Sequence, residues 1–168
     1  NLEMLQKGGK CIAIIPMSCA LAQNGKMLSW KEKLLKHHTL EAVMSMPDDL
    51  FHNSKVGVVT CIMIFTAHVP HPNGIKTWFG YWKNDGFVKV KNRGRIDGKG
   101  KWNEIKKNWV DSYLNKEVVA GHSVMKEIKP DDEWCAEAYM ETDYSTLSET
   151  DFVKHIKDYI LFRIKEDK

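Results

Sequence analysis

Apolar positions follow two different periods along the chain, and the switches between them mark its elements. Asn1 to Lys7 places Leu2 and Leu5 on one face and reads as the last two turns of a helix. Gly8-Gly9 then supplies a stop where a positive φ is needed. Cys11-Ile12-Ala13-Ile14-Ile15 is a continuous apolar run ended by Pro16. Such runs belong to strands buried on both faces of a parallel sheet. From Met27 to His37, Leu28, Lys31, Leu34 and Leu35 recur at helical spacing with one polar member. Leu40, Val43 and Met44 predict a second strand over Thr39–Met46, closed by Pro47. Val56–Phe65, rich in β-branched residues, predicts a third, and Ile75–Tyr81 a fourth. Strand, helix and strand at these spacings form a βαβ unit, so the fold class is α/β.

After Trp82 the pattern changes. Residues 83–107 hold nine Lys/Arg against three acids, with Gly86, Gly94, Gly98 and Gly100 among them, and read as a basic loop region. Trp102, Ile105, Trp109 and Tyr113 then mark one face of a helix. Ser148 and Asp151 form a capping-box-like start. Phe152, Ile156, Tyr159, Ile160 and Ile164 continue as an apolar stripe. The chain thus divides into a sheet unit, residues 1–82, and residues 83–168, a basic loop region with an acidic, mainly helical extension. A chain that opens inside a helix feeding a buried strand, with few strands and little to cover them, is expected to be part of a larger fold. Its remaining strands are expected upstream of Asn1.

Charge sharpens this division. The net charge of +3 over 168 residues conceals +1 for residues 1–50, +8 for residues 51–110 and −6 for residues 111–168. The middle segment suits a polyanion. The 28% charged fraction and six tryptophans argue against a disordered chain. No apolar run approaches the roughly 20 residues that span a bilayer, so no membrane partner is expected. The first nine residues lack the pattern of a secretory signal. Cys11, Cys19, Cys61 and Cys135 are far apart and form no C-x-x-C pair. They read as reduced thiols in a cytoplasmic protein.

Four chemistries compete for the polar residues. A nucleotide-phosphate cradle needs a Gly-rich turn between strand and helix. Gly8-Gly9 and Gly98-Lys99-Gly100 are the only close glycines, and neither is predicted to follow a strand and open a helix. Glu104-Ile105-Lys106, with Asp85 or Asp97 upstream, has the E-x-K form of a metal-dependent nuclease. Glu127-Ile128-Lys129 repeats that form, and an exposed ion pair explains either. His68 and His71 with Cys61 offer metal-ligand types without a completing pair, so no metal is expected. His37-His38 sits at a helix end, where cationic histidines favour the dipole. Finally, Lys83, Lys89, Lys91, Arg93, Arg95, Lys99 and Lys101 interleave with Trp82, Phe87 and Trp102. Cations neutralise phosphates and aromatic faces stack on bases, so these are candidate DNA-phosphate contacts. The competing reading is a solvated basic loop.

One ordered set of motifs resembles a known family. It runs through Gly8-Gly9-Lys10 to Pro16, Trp30-Lys31-Glu32-Lys33-Leu34-Leu35, Leu40 to Pro47, Leu50-Phe51 and Thr60 to Phe65. Asp85-Gly86-Phe87 followed by Arg95 extends it. In this order they resemble the second half of the catalytic domain of N6-adenine DNA methyltransferases of bacterial restriction–modification systems, in particular the modification subunit of type I systems. The resemblance covers about residues 1–97 and is loose from Gly98 onward. It implies the second half of a Rossmann-like, seven-stranded, S-adenosylmethionine-dependent methyltransferase sheet. Cys11–Ile15 would be a central parallel strand, and Leu40–Met46 and Val56–Phe65 the last pair, the final strand antiparallel.

The family's cofactor loop and Asn-Pro-Pro-Tyr motif are absent here; the chain holds no Pro-Pro dipeptide. No catalytic or cofactor-binding residue is therefore expected in it, and by itself it is expected neither to methylate nor to bind S-adenosylmethionine. The resemblance places Phe51 where a phenylalanine stacks on the extruded target adenine; the alternative is a core phenylalanine at a strand edge. Pro16 and Ser18 would lie on the ligand-binding sheet edge, with His52, Asn53 and Lys55 in a loop facing DNA. Asn53 to Gly57 departs from the family's shorter Gly-rich loop. The implied partners are double-stranded DNA and the specificity and restriction subunits of the same system. The rival is a non-enzymatic module, its acidic tail and apolar stripe docking such a subunit.

Overall fold

The computed structural model describes residues 1–51, 57–145 and 147–166. Five strands form one mixed sheet: β1 (Lys10–Pro16), β2 (Thr39–Ser45), β3 (Thr60–Thr66), β4 (Lys76–Tyr81) and β7 (Ser123–Glu127), in the spatial order β1-β3-β2-β4-β7. β2 and β4 are parallel. β3 runs antiparallel between β1 and β2, and β7 runs antiparallel to β4. A separate hairpin pairs β5 (Val88–Val90) with β6 (Gly94–Ile96). The helices are α1 (Met17–Leu21), α2 (Gly25–His37), α3 (Trp102–Asn115) and α4 (Glu149–Glu166).

Strand alternation sends side chains into two cores. Leu40, Val43, Cys61, Met63, Phe65 and Phe79 face one side, where Met17 and Ala20 of α1 and Leu34 of α2 cover them. Ala42, Met44, Ile64 and Trp78 face the other, against Trp109 of α3. A bulge between Leu40 and Ala42 sets this register in β2. Both faces of β2 and β3 are covered, which is why their sequences read as continuous apolar runs. Gly80 of β4 lets α3 approach, since a Cβ there would stand 2.6 Å from the Trp78 ring and 3.0 Å from that of Trp109.

The opening of the chain differs from its expected form. Leu2–Met4 is a single 3-10 turn, and Leu5 is already extended. Gly8 and Gly9 exchange main-chain hydrogen bonds with Ala67, so they prolong the β1–β3 ladder instead of ending a helix. β1 is an edge strand in the described sheet, paired only with antiparallel β3. Its exposure alternates: Cys11 and Ile15 pack on the first core, while Ile12 and Ile14 are 69% and 56% exposed. α3 covers the middle of the sheet and does not bury them. β1 and β2 nevertheless run in the same direction, and β2–β3 is the expected antiparallel pair.

The expected division at residue 82 runs through one sheet and one core. β7 extends the sheet beyond β4. Trp134, Cys135 and Ala136 are buried with Met17, Ala20 and Phe79. The acidic stretch Asp131–Asp143 is thus partly a wall of the core. α4 begins as predicted, with Ser148 and Asp151 bonded reciprocally. It buries no residue, and its apolar stripe faces outward. No described helix is long and apolar enough to cross a membrane.

Candidate functional site

β1, β2 and β4 share a direction, so their carboxyl ends lie along one edge. Pro16 pairs with Thr60, Ser45 with Cys61, and Ser45 with Tyr81. Ligands of α/β sheets bind outside such an edge. Main-chain bonds hold three connections onto it. Met17 N–H donates to Val59 (2.8 Å), Met46 N–H to Thr60 (3.0 Å), and Trp82 N–H to Ser45 (2.9 Å). The edge thus gathers Pro16 to Leu21, Met46 to Phe51, and Trp82 to Phe87.

The candidates from sequence divide between these connections. Pro16 and Ser18 are exposed after β1. Phe51 is 36% exposed in a turn after β2. His52, Asn53 and Lys55 lie outside the described residues. Sequence reasoning missed Glu137. The short 3-10 turn Ala136–Ala138 brings it to the edge, where the buried Ser45 hydroxyl donates to its Oε2 at 2.6 Å. Lys83 Nζ donates to Asp48 Oδ1 (2.6 Å) and lies 3.7 Å from Glu137 Oε1. No spacing in the chain links these residues; only the packing of the acidic segment does.

The basic segment separates into held and free cations. Arg95 gives Asp85 a bidentate pair, Nη1–Oδ2 3.0 Å and Nη2–Oδ1 2.8 Å. Its Nε lies 3.0 Å from Asp49 Oδ1 without the alignment of a hydrogen bond. Its side chain is 10% exposed. Burial lowers its proton affinity and the Asp85 carboxylate more than restores it, so it stays a cation. Lys89 lies 3.6 Å from Asp49 Oδ2. Lys91 and Arg93, in the turn of the β5–β6 hairpin, are exposed, as are Lys99 and Lys101, and none of the four has an ion-pair partner among the described residues.

The aromatic residues of this segment contact one another. Trp82 and Trp102 stack with centroids 5.8 Å apart at 6°, Trp82 stacks on Trp109, and Phe87 meets Trp102 edge-on. These contacts anchor α3 beside the hairpin, so the expected platform for bases is instead the packing of the segment itself.

Several of the residues behind the other chemistries are engaged in other contacts. Gly98-Lys99-Gly100 does lie between β6 and α3, contrary to the expectation from sequence. Yet Asp97 accepts hydrogen bonds from the Lys101 and Trp102 amides (2.9 and 3.1 Å). A carboxylate stands where a phosphate would sit. The Gly98–Gly100 loop therefore does not fit a nucleotide cradle. Asp85 and Asp97 are engaged elsewhere, and no group of three His, Cys, Asp or Glu able to hold a metal occurs among the described residues. His38 Nδ1 accepts from the His68 amide (3.0 Å). Burial, then its neighbours His68 and His37, lower its pKa, so it is not the cationic dipole partner expected.

With this geometry in hand, comparison with known proteins decides the family. The N-6 DNA Methylase family matches residues 1–168. The chain belongs to the N-6 DNA methylases. The type II restriction enzyme and methyltransferase RM.BcgI of Heyndrickxia coagulans is 35% identical over 163 residues, 96% of this chain and 25% of that protein. This methylase chain thus spans about a quarter of that relative. A type I restriction–modification complex matches in fold with a TM-score of 0.59 at 19% identity, over 96% of this chain and 35% of that one. The modification subunit of a putative type I enzyme from Vibrio vulnificus YJ016 gives 0.53 at 16%, over 72% and 23%. The type I methyltransferase subunit from Streptococcus thermophilus gives 0.52 at 17%, over 71% and 23%. The mixed α/β sheet is shared with these methyltransferase structures, and the resemblance drawn from the ordered motifs is borne out.

Proposed function

We propose that this chain forms the target-base side of an adenine N6 DNA methyltransferase of a cytoplasmic restriction–modification system. The complete enzyme transfers a methyl group from S-adenosylmethionine to N6 of adenine in double-stranded DNA. In this reading the sheet is the second half of a Rossmann-like domain, and the cofactor cradle comes from outside the described residues. The chain contributes the base pocket and the backbone contacts, not the methyl transfer itself.

The exposed position of Phe51 carries the proposal. An extruded base must be held by a π-face, and Phe51 offers a partly exposed one on the connection that follows β2, at the sheet edge where β1 also ends. Such stacking is worth about 1–3 kcal/mol per base. Lys91, Arg93, Lys99 and Lys101 are the free cations for phosphates; His52, Asn53 and Lys55 are proposed to face the same DNA. The test is Phe51→Ala in the complete methyltransferase, with extrusion read on a duplex carrying 2-aminopurine at the target position and methylation read on the adenine duplex. Loss of the fluorescence rise on extrusion, with slower methylation and recovery in Phe51→Trp, is the expected result. Unchanged extrusion and methylation in Phe51→Ala overturns the reading.

One observation favours a second role. The apolar stripe of α4 is exposed along its length. It supports docking of another subunit, such as a specificity or restriction subunit. Removing residues 145–168 and measuring assembly tests this, and unchanged assembly rules the helix out as the dock.

A further inference from the structure

The Met46–Phe51 connection has little main chain to hold it. Among the described residues its hydrogen bonds are Met46 N–H to Thr60 and Leu50 N–H to Pro47. Met46 and Pro47 are buried at its start; beyond them its two acidic side chains make ion pairs. Asp48 receives Lys83, and Asp49 receives Arg95 and Lys89.

These attachments lead back to rigid structure. Asp85 follows β4, and its Oδ1 also accepts from the Phe87 amide at 3.0 Å. It fixes Arg95 by two parallel bonds, and the guanidinium lies over the Phe87 ring at 5.5 Å. A bidentate pair fixes direction as well as distance. Asp85 and Arg95 side chains are 8% and 10% exposed, so solvent and salt screen them little. The path runs from β4 through Asp85 and Arg95 to Asp49, two residues before Phe51.

The hairpin itself calls for an anion at this place. Lys89 and Arg95 are direct cross-strand partners. Like charges placed opposite each other destabilise a strand pair. Asp49 lies within 3.6 Å of Lys89 and 3.0 Å of Arg95 and relieves that repulsion. The two cations and the carboxylate therefore form one unit that joins the hairpin to the Phe51 turn.

We propose that Asp49 and Arg95 form a charged clamp that sets the position of Phe51, and that both are positioning residues for the extruded adenine. This inference rests on the reading of Phe51 as the stacking residue. It also removes Arg95 from the phosphate contacts that its charge suggests. A guanidinium already held by two carboxylates is not free for DNA. The cations of the same hairpin without an ion-pair partner among the described residues, Lys91 and Arg93, are in its turn, so phosphate contact and base positioning fall to different residues of one element.

The experiment uses the complete methyltransferase carrying Asp49→Asn, Arg95→Met, both together, or Asp49→Glu. Asp49→Asn leaves the Arg95–Asp85 pair intact, which protects the fold. In Asp49→Asn, kcat falls on the order of tenfold or more, as for other misplaced positioning groups. The 2-aminopurine signal falls with it, while DNA affinity and its salt dependence stay unchanged. The double variant loses no more than Arg95→Met does, and Asp49→Glu recovers part of kcat. An unchanged kcat in Asp49→Asn overturns the clamp, provided Phe51→Ala is defective. A loss confined to DNA affinity in Arg95→Met, with a shallower salt dependence, also overturns it and makes Arg95 a phosphate contact. If Phe51→Ala itself is harmless, the reading of Phe51 fails, and the clamp fails with it.

Discussion

The Nζ of Lys31 donates to the main-chain oxygen of Asp132 at 2.5 Å, joining residues 101 positions apart. The same ammonium donates to Ala20 (3.1 Å) and Ala22 (2.9 Å) and lies 4.6 Å from the Trp134 ring centroid. Lys31 is fully buried, and that burial lowers its pKa against the pull of Asp132, Asp131 and Glu133. One side chain thus caps the end of α1 and ties α2 to the acidic segment that carries Glu137 to the sheet edge.

Lys31→Met keeps most of the stem's packing and leaves the Ala22 and Asp132 carbonyls without their donor, while the Ala20 carbonyl keeps the Trp134 amide. Unsatisfied buried groups cost about 1–3 kcal/mol, so urea unfolding is expected to shift to a lower midpoint with the slope retained. A midpoint equal to that of the parent refutes a structural role for the ammonium.

Lys91 and Arg93 are expected to act through phosphates alone. Replacing both with Ala weakens DNA binding about equally for all sequences and lowers the salt slope by roughly one for each phosphate no longer neutralised. Affinity measured across a salt series reads this. A change in sequence preference at constant slope is the opposing outcome.

Three histidines make the fold sensitive to acid. Burial lowers the pKa of His38, His71 and His122, with His68 and His37 adding to the effect at His38. The unfolded chain therefore takes up protons first as pH falls. The stabilisation is whole above the ordinary histidine value of about 6.5 and is lost as pH falls through the lowered folded values. Unfolding midpoints are expected to drop between pH 7 and pH 5, and His38→Asn to flatten that drop. A flat profile in the parent protein counts against it.

The thiols are expected to divide into two classes. Burial pushes Cys61 up to about 12 and Cys135 up to about 11. Cys11 and Cys19 are only half-buried. Because the thiolate is the reactive form, an aromatic disulfide reagent at pH 8 should label two thiols quickly and the other two only on unfolding. Four equal rates contradict this.

The strands β2, β3 and β4 and the helices α2 and α3 were legible because each carries its own periodicity. β7 was not, since Ser123–Glu127 is polar and half-exposed, without the apolar run of a central strand. The β5–β6 hairpin was hidden for the same reason: three-residue strands carry too little pattern. Trp82, Phe87 and Trp102 showed that aromatics cluster here, but not that their faces meet each other.

What the sequence determined by itself was local or ordered: element periods, the capping of α4, the charge division and the motif order that marks the family. Whether a cation is free or held was decided only by the fold. Lys91 and Arg95 are four residues apart and alike in charge, yet only Arg95 meets Asp49 and Asp85, which arrive on separate connections. Ion pairing depends on distance in space, and the sheet sets that distance by bringing the ends of β2 and β4 together.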